Sequence, residues 1–305
     1  SEGSIAGAGI SSLRLSEILI QEEKPDSALL ILDRAEKMFR ESRNKQGSSN
    51  VQLLKGRLFV DKEDYASAKE LLDSASQATD YPETVWQAWF HLGRMYENQG
   101  QDAKAIESYR NSISVIEKIR GNLTIDEFKS IYFDSKREVY DRLINLLMKN
   151  NKPVDAFLLS EQARARAFYD ILSKKKIDFR GSSSEDLVSL EQEKRIEMQK
   201  LYKLLQKGNA GVSDIESTRS VDIKQVKSAL AEAQTEYQEL IQKIKLNNPA
   251  YAEILTADPI TLSDIQSRLD PKTATLEYWI SNNRLIIWLI THSEVITKTV
   301  QISSK

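Results

Sequence analysis

Cysteine is missing from this chain of 305 residues, and histidine occurs only twice. Without cysteine, these residues hold no disulfide, no thiolate metal ligand and no cysteine nucleophile. Because proteins of a reducing compartment need no disulfides, we expect the protein in the cytoplasm. The scarcity of histidine leaves His91 and His292 without a histidine neighbour at the helical spacing of a zinc site.

The net charge is also small. The 43 Lys and Arg residues nearly balance the 45 Asp and Glu residues, which leaves a formal net charge of -2. Such a chain has no overall field that would attract nucleic acid or an anionic membrane. Its longest apolar run, Leu285–Ile290, is far shorter than the roughly 20 residues of a membrane-spanning helix. We therefore expect neither nucleic acid nor a membrane among the partners.

Motifs for catalysis and cofactor binding are scarce as well. No third glycine follows Gly7 and Gly9 to complete a phosphate-binding loop. Neither histidine has a sequence neighbour that suits nucleophilic catalysis, and the carboxylates are spread over helix surfaces. The sequence predicts no cofactor, no metal and no catalytic residue, which disfavours an enzyme active within these residues. The start of the chain, 1–8, lacks an initiator Met and a targeting pattern, and we expect a disordered leader there.

A repeat becomes visible when small residues and chain breaks are compared along the sequence. The segment from Trp89 to Tyr109 has the W-x2-L-G-x2-Y…A-x3-F spacing of a tetratricopeptide (TPR) repeat, with Tyr in the last position. Gly93 would allow close approach of the second helix, and Gly100 would break the chain between the two helices. The segment therefore resembles one TPR helical hairpin.

Three partial copies of this pattern support a repeat array. The breaks fall at Glu23, Glu63, Gly100 and Asn151, at steps of 40, 37 and 51 residues. A first small residue follows each break at Ala28, Ala68, Ala105 and Ala156, and a second follows seven residues later at Ala35, Ala75, Ser112 and Ala163. Lys55, Ile144 and Ser160 depart from the pattern. We predict a mainly α fold with a TPR-like α-solenoid over 9–172, and the alternative is an irregular helical bundle.

In a TPR solenoid, the first helix of each hairpin lines a concave groove that holds a peptide. The residue after the close-approach position should point into the groove. That row consists of Glu17, Arg57, Arg94 and Asn145, and its neighbours are Leu53, Phe90, Asn98, Asp141 and Lys149. The two arginines could hold a ligand carboxylate, or they could pair with acidic neighbours along the groove. We expect a protein or peptide as the ligand.

A helical linker is predicted over 173–255. Val226, Leu230, Ala233, Tyr237, Leu240 and Ile244 alternate steps of three and four residues, as in a coiled-coil seam. A second apolar stripe on a helix over about 185–207 would be its partner, with a polar loop over 208–221 between them. We favour an intramolecular helical hairpin over a dimerisation zipper.

The last segment, 256–305, changes to a strand pattern. Residues 273–280, 284–290 and 295–302 are rich in β-branched and aromatic residues, with turns at 282–283 and 291–294. Because Leu285–Ile290 is apolar on both faces, we expect its strand inside a larger covered sheet. The sequence therefore predicts a short β-meander that begins a truncated α/β domain.

The order of three further motifs carries a wider resemblance. Ser160–Phe168 closes the repeats, Asn248–Ala252 follows the linker, and Leu262–Leu269 precedes the strands. Together with the repeats they resemble the TPR-CHAT family. The resemblance implies a bacterial-type protein in which a caspase-like protease domain follows the TPR repeats. It also implies that the catalytic His and Cys lie downstream of the first strands, where no residue of this chain matches.

Two hypotheses follow for the function. In the first, the repeats recognise a protein and the linker transmits that event to the remainder of a CHAT domain. In the second, the chain belongs to a non-enzymatic TPR adaptor. Coding sequence after Lys305 would separate them.

Overall fold

The computed structural model describes residues 2–121, 136–174, 223–247, 261–281 and 284–302, and part of 187–204. The chain folds as two compact units, an N-terminal unit over Ser1–Ile119 and a C-terminal unit over Arg120–Lys305. Helices α1 to α8 pair in sequence order as four hairpins.

The N-terminal unit is a stack of helical hairpins. Its helices are α1 (Glu2–Gln21), α2 (Pro25–Glu41), α3 (Lys45–Asp61), α4 (Tyr65–Ser76), α5 (Pro82–Asn98) and the larger part of α6 (Asp102–Gly121). The second helix of each hairpin packs on the first helix of the next, α2 on α3 and α4 on α5, and the first helices α3 and α5 are also neighbours. This arrangement confirms the predicted TPR-like solenoid.

The helix α1 begins at Glu2, so the structure is helical where the sequence suggests a disordered leader over 1–8. The physical reason includes Gly9, which packs against the ring of Phe39 on α2. A Cβ atom at Gly9 would lie 2.7 Å from Phe39 Cε1, so only glycine fits this contact without a shift. Gly9, the first residue of the predicted solenoid, is thus a helix-packing residue.

Both rows of small residues lie in the core, as predicted. The eight positions are at most 1% exposed: Ala28, Ala68, Ala105, Ala156, Ala35, Ala75, Ser112 and Ala163. Ala28 and Ala35, and likewise Ala68 and Ala75, belong to clusters in which one hairpin packs on the next. The contact of small side chains with a facing helix lets the two backbones approach closely.

The predicted breaks are turns with a left-handed residue. Glu23, Glu63, Gly100 and Asn151 have φ values between 56° and 70°. At each turn the next residue's N–H donates to a carbonyl five residues earlier, at 2.8 to 2.9 Å, and the left-handed residue's N–H donates to a carbonyl three residues earlier. This pair of hydrogen bonds is the Schellman motif, which satisfies carbonyls at the end of a helix.

The C-terminal unit holds a fourth hairpin, α7 (Arg137–Lys149) and α8 (Pro153–Lys174), and the linker helix α9 (Ile223–Asn247). On α9, the predicted seam packs against Leu187, Met198 and Leu201, which confirms the predicted hairpin for the described residues. Tyr237 Oη also donates to Glu191 Oε1 at 2.8 Å. The predicted loop 208–221 lies outside the described residues.

A three-stranded antiparallel sheet follows the short helix α10 (Leu262–Ser267). The strands β1 (Thr275–Ser281), β2 (Arg284–Ile290) and β3 (Val295–Gln301) are ordered β1-β2-β3. The strand β2 is central, as its apolar sequence predicts, and Tyr278 pairs with Ile287 and Ile287 with Lys298.

The two faces of the sheet differ in burial. The inner face carries the buried side chains of Trp279, Ile286, Trp288 and Ile290. The indole N–H of Trp288 donates to the carbonyl oxygen of Pro153 at 3.0 Å, and its ring contacts Phe157. This packing joins the sheet to the fourth hairpin in one compact unit. The outer face, with Leu276, Tyr278 and Ile280, is about half exposed in the part of the chain that the structure describes.

Candidate protein-binding surfaces

Two arginines predicted for the groove meet at one carboxylate in the N-terminal unit. Arg94 Nη2 donates to Asp61 Oδ1 at 2.9 Å, and Arg57 Nε lies 4.0 Å from Asp61 Oδ2. The Arg57 side chain is 42% exposed and that of Arg94 is 23% exposed, so a ligand can reach both. The predicted pairing with an acidic neighbour is therefore present, and a ligand carboxylate would compete with Asp61 for this arginine pair.

The two arginines are equivalent because each follows a glycine that touches the second helix of its hairpin. A Cβ atom at Gly93 would lie 2.4 Å from Tyr109 Cε1, and one at Gly56 would lie 2.6 Å from Leu72 Cγ. These contacts fix the rotation of the first helix, and the next residue points about 100° away from the contact. The sequence prediction identified Gly93 but missed Gly56, although the 37-residue step leads from one to the other.

Two predicted groove residues belong to the core. Leu53 is buried in the cluster that joins α3, α4 and α5, and Phe90 is buried with its ring 6.0 Å from that of Tyr109. Each precedes its close-approach glycine by three residues, and residues three apart lie on the same face of a helix. Their burial places both side chains in the core of the N-terminal unit instead of in the predicted groove.

Three other predicted groove residues are exposed on helices. Glu17 lies on α1, Asn98 ends α5, and Lys149 ends α7. Their role toward a ligand stays a prediction.

Lys55 shows how the repeat tolerates a departure from its pattern. Its Nζ lies 2.6 Å from both Asp33 Oδ1 and Glu36 Oε2 on α2. Burial alone would lower the pKa of Lys55, but the hydrogen bonds and charges of the two carboxylates outweigh it and raise that pKa. An ion pair between the first two hairpins thus replaces the leucine that the pattern expects.

In the C-terminal unit, the predicted groove residues contact the chain's own sheet. Trp279 Nε1 on β1 donates to Asp141 Oδ1 at 2.7 Å. Asn145 Nδ2 donates to Ser281 Oγ at 3.3 Å, also on β1. The first helix of the fourth hairpin therefore uses its predicted ligand-facing residues to hold a β-strand of the same unit.

Two arginines also hold the backbone of β1, which is an edge strand of the sheet. Arg137 Nη2 donates to the carbonyl oxygen of Ile280 at 2.7 Å, and Arg164 Nη2 donates to that of Tyr278 at 3.0 Å. The Arg164 guanidinium forms an ion pair with Glu277. Contacts to main-chain carbonyls do not depend on the side chain at that position, so this geometry suits an extended polypeptide. The sequence prediction missed both arginines, although Arg164 lies in the Ser160–Phe168 motif.

Burial shifts two carboxylates at this interface. It raises the pKa of Asp141, which the Trp279 hydrogen bond and the Arg137 charge oppose. Burial also raises the pKa of Glu161, against the opposing charge of Arg164. Glu161 Oε1 lies 3.2 Å from Arg164 Nη1 but outside hydrogen-bond geometry.

An open cleft of about 600 Å³ lies beside these contacts, between α7 and the sheet. Its lining residues are Arg137, Glu138, Asp141, Arg142, Asn145, Ile280, Ser281 and Ile302. The cleft combines two cations with acidic and amide groups, so it offers polar contacts to a peptide more than an apolar pocket to a small molecule.

Among the described ranges, no group of three or more His, Cys, Asp or Glu side chains is placed to bind a metal ion. In the part of the chain that the structure describes, no helix is long and apolar enough to span a membrane.

Comparison with known families identifies one repeat. Residues 87–118 match the tetratricopeptide repeat family, and this segment holds the larger part of α5 and α6. No curated protein and no solved structure matches the chain. The match agrees with the helical hairpin, the close contact at Gly93 and the turn at Gly100.

Proposed function

We propose that this chain is a protein-binding scaffold whose helical hairpins hold an extended polypeptide on their first helices. Tetratricopeptide repeats commonly bind proteins or peptides, and the chain contains such a repeat. The observation that carries the proposal is the contact of Asp141 and Asn145 with β1. There, the predicted ligand-facing side of one hairpin holds a β-strand through side-chain and backbone groups.

In the N-terminal unit, the arginine pair is the corresponding ligand-binding element. The two arginines lie on neighbouring first helices and are partly exposed. Together they carry two positive charges, of which Asp61 neutralises one. A peptide carboxylate would accept charge-assisted hydrogen bonds from Arg57 and Arg94 in place of the one that Arg94 donates to Asp61. We therefore propose an acidic peptide segment as the preferred ligand of these hairpins.

Selection from a random peptide library displayed on phage tests this function. We expect enrichment of acidic peptides, and an enriched peptide should lose roughly tenfold or more in affinity to the Arg57→Ala and Arg94→Ala double variant. Arg34 is an exposed arginine on α2. The Arg34→Ala variant is the matched control and should bind the enriched peptide with the affinity of the unchanged chain. Helicity measured by circular dichroism should be equal in all variants. Equal affinity of the double variant and the unchanged chain would refute the groove assignment.

For the full-length protein, we propose that ligand binding regulates an α/β domain to which the described sheet belongs. The resemblance to the TPR-CHAT family supports a caspase-like protease as that domain. The fixed contact of the sheet with the fourth hairpin supports a mechanical route, because a shift of α7 or α8 would move β1. The test measures cleavage of substrate peptides by the full-length protein with and without an enriched peptide as ligand. A variant with the catalytic Cys replaced by Ala is the control.

A non-enzymatic adaptor is the alternative. The matched tetratricopeptide repeat supports it, since such repeats are typically non-catalytic. Coding sequence that continues into a domain with a His and a Cys at strand ends would exclude the adaptor.

A further inference from the structure

The interfaces between hairpins in the N-terminal unit use equivalent positions. On α3, the residues Val51, Lys55 and Leu58 face α2. Val51 and Leu58 belong to one hydrophobic cluster with four residues of α2, which are Ala28, Leu32, Ala35 and Phe39. On α5, residues Ala88, Leu92 and Met95 join the cluster of Ala68, Leu72 and Ala75 on α4. In both interfaces the first helix contacts the second helix of the preceding hairpin through three residues. The second of these lies four residues after the first, and the third lies three residues after the second.

The same positions on α1 are Ser11, Leu15 and Ile18, by the 40-residue step between the first two turns. They are exposed, with Leu15 at 46% and Ile18 at 50%. The residues equivalent to Ile18 on the next two first helices, Leu58 and Met95, are 3% and 1% exposed. We call Ser11, Leu15 and Ile18 the stacking face.

We propose that the stacking face binds the second helix of a further helical hairpin. Its partner carries the stripe seen on α2, with small residues at Ala28 and Ala35 and large ones at Leu32 and Phe39. Continuity with the two interfaces already described supports this partner, because the same three positions form the contact in both.

A second copy of the chain fits the stacking face less well. In the described residues, the small-residue stripes of α2 and α4 are buried within their own unit, with Ala28, Ala35, Ala68 and Ala75 at 0% exposure. A second copy would have to unpack one of these clusters to offer it. A hairpin of another protein carries no such cost.

The proposal can be tested with an extended variant of the chain. In this variant a copy of residues 9–48 is inserted before residue 9, which preserves the 40-residue step and places a copy of α2 next to the stacking face. We expect hydrogen exchange of the α1 amides in the original copy to slow by about tenfold or more, since stacking buries Leu15 and Ile18. The thermal unfolding midpoint should rise as well.

Two variants, one with a pair of substitutions and one with a single substitution, separate stacking from a general effect of the added hairpin. Leu15→Ser with Ile18→Ser in the original copy should abolish the slower exchange. Leu30→Ser, at an exposed leucine on α2, should leave it intact. Unchanged exchange of α1 in the extended chain, or protection that survives Leu15→Ser with Ile18→Ser, overturns the proposal. A dimer of the unextended chain in sedimentation that these two substitutions dissociate also overturns it, since the face would then serve a second copy.

Discussion

At the scale of single residues, the turns inside the hairpins carry a backbone conformation that L-residues adopt at a cost. Glu23, Glu63 and Asn151 have φ between 56° and 60°, and Gly100 has φ of 70°. Only glycine adopts this region freely, because a Cβ atom comes too close to the following carbonyl oxygen. The two Schellman hydrogen bonds hold the other three residues in place.

We therefore expect substitutions at Glu63 and at Gly100 to change the free energy of unfolding in opposite directions. We expect Glu63→Gly to raise the free energy of unfolding by up to about 1 kcal/mol, and Gly100→Ala to lower it by about 1 kcal/mol. At Gly100 a Cβ atom would meet no atom within 4 Å, so the conformation alone sets the cost. Urea denaturation followed by circular dichroism measures both. A loss of stability in Glu63→Gly would contradict the role given to the turn.

The close-approach glycine is a stricter case. A Cβ atom at Gly93 would meet the Tyr109 ring at 2.4 Å, so Gly93→Ala forces α5 and α6 apart. We expect it to lower the free energy of unfolding by about 1 to 3 kcal/mol, the usual cost of overpacking. Gly7→Ala is the matched control, because a Cβ atom at Gly7 would meet no atom within 4 Å. Alanine is also more favourable than glycine inside a helix. Thermal unfolding should separate the two variants clearly, and equal midpoints would contradict the close approach.

At the scale of elements, burial of Asp141 links the docking of α7 on β1 to pH. The folded-state pKa of Asp141 is raised above its ordinary value of 3.8 by burial. The protonated carboxyl is therefore favoured in the folded protein, and its stabilising contribution is complete below pH 3.8 and lost as pH rises through the folded-state pKa.

It follows that Asp141→Asn, which stays neutral and can still accept from Trp279, should gain stability relative to the unchanged chain as pH rises from 3.5 to 7. Urea denaturation at both pH values measures the difference. Glu239→Gln, which removes one exposed carboxylate on α9, controls for the loss of a negative charge. A relative gain that is larger at pH 3.5 would contradict the assigned direction.

The periodic elements could be predicted from the sequence because their cause is local. The small residues and the turns recur at a spacing that a helical hairpin dictates, and the structure confirms each of them. The orientation of individual side chains was harder. Around their helices, Leu53 and Phe90 lie about 60° from the close-approach glycine and about 40° from the groove arginine, so the helical period alone does not separate core from groove.

At the scale of the whole molecule, contacts distant in sequence explain what could not be predicted. Trp279 and Asp141 are 138 residues apart, and Arg164 and Tyr278 are 114 apart. No local pattern records such a pairing. The strands themselves were predictable from their β-branched composition, but the docking of their sheet on the fourth hairpin was not.

The decisive measurement is hydrogen exchange of the chain with and without a selected acidic peptide. We expect the peptide to slow exchange in the first helices α3 and α5, where the arginine pair lies, and to leave exchange in α2 and α4 unchanged. Slower exchange confined to α2 and α4, with α3 and α5 unaffected, would contradict the claim that the hairpins bind a polypeptide on their first helices.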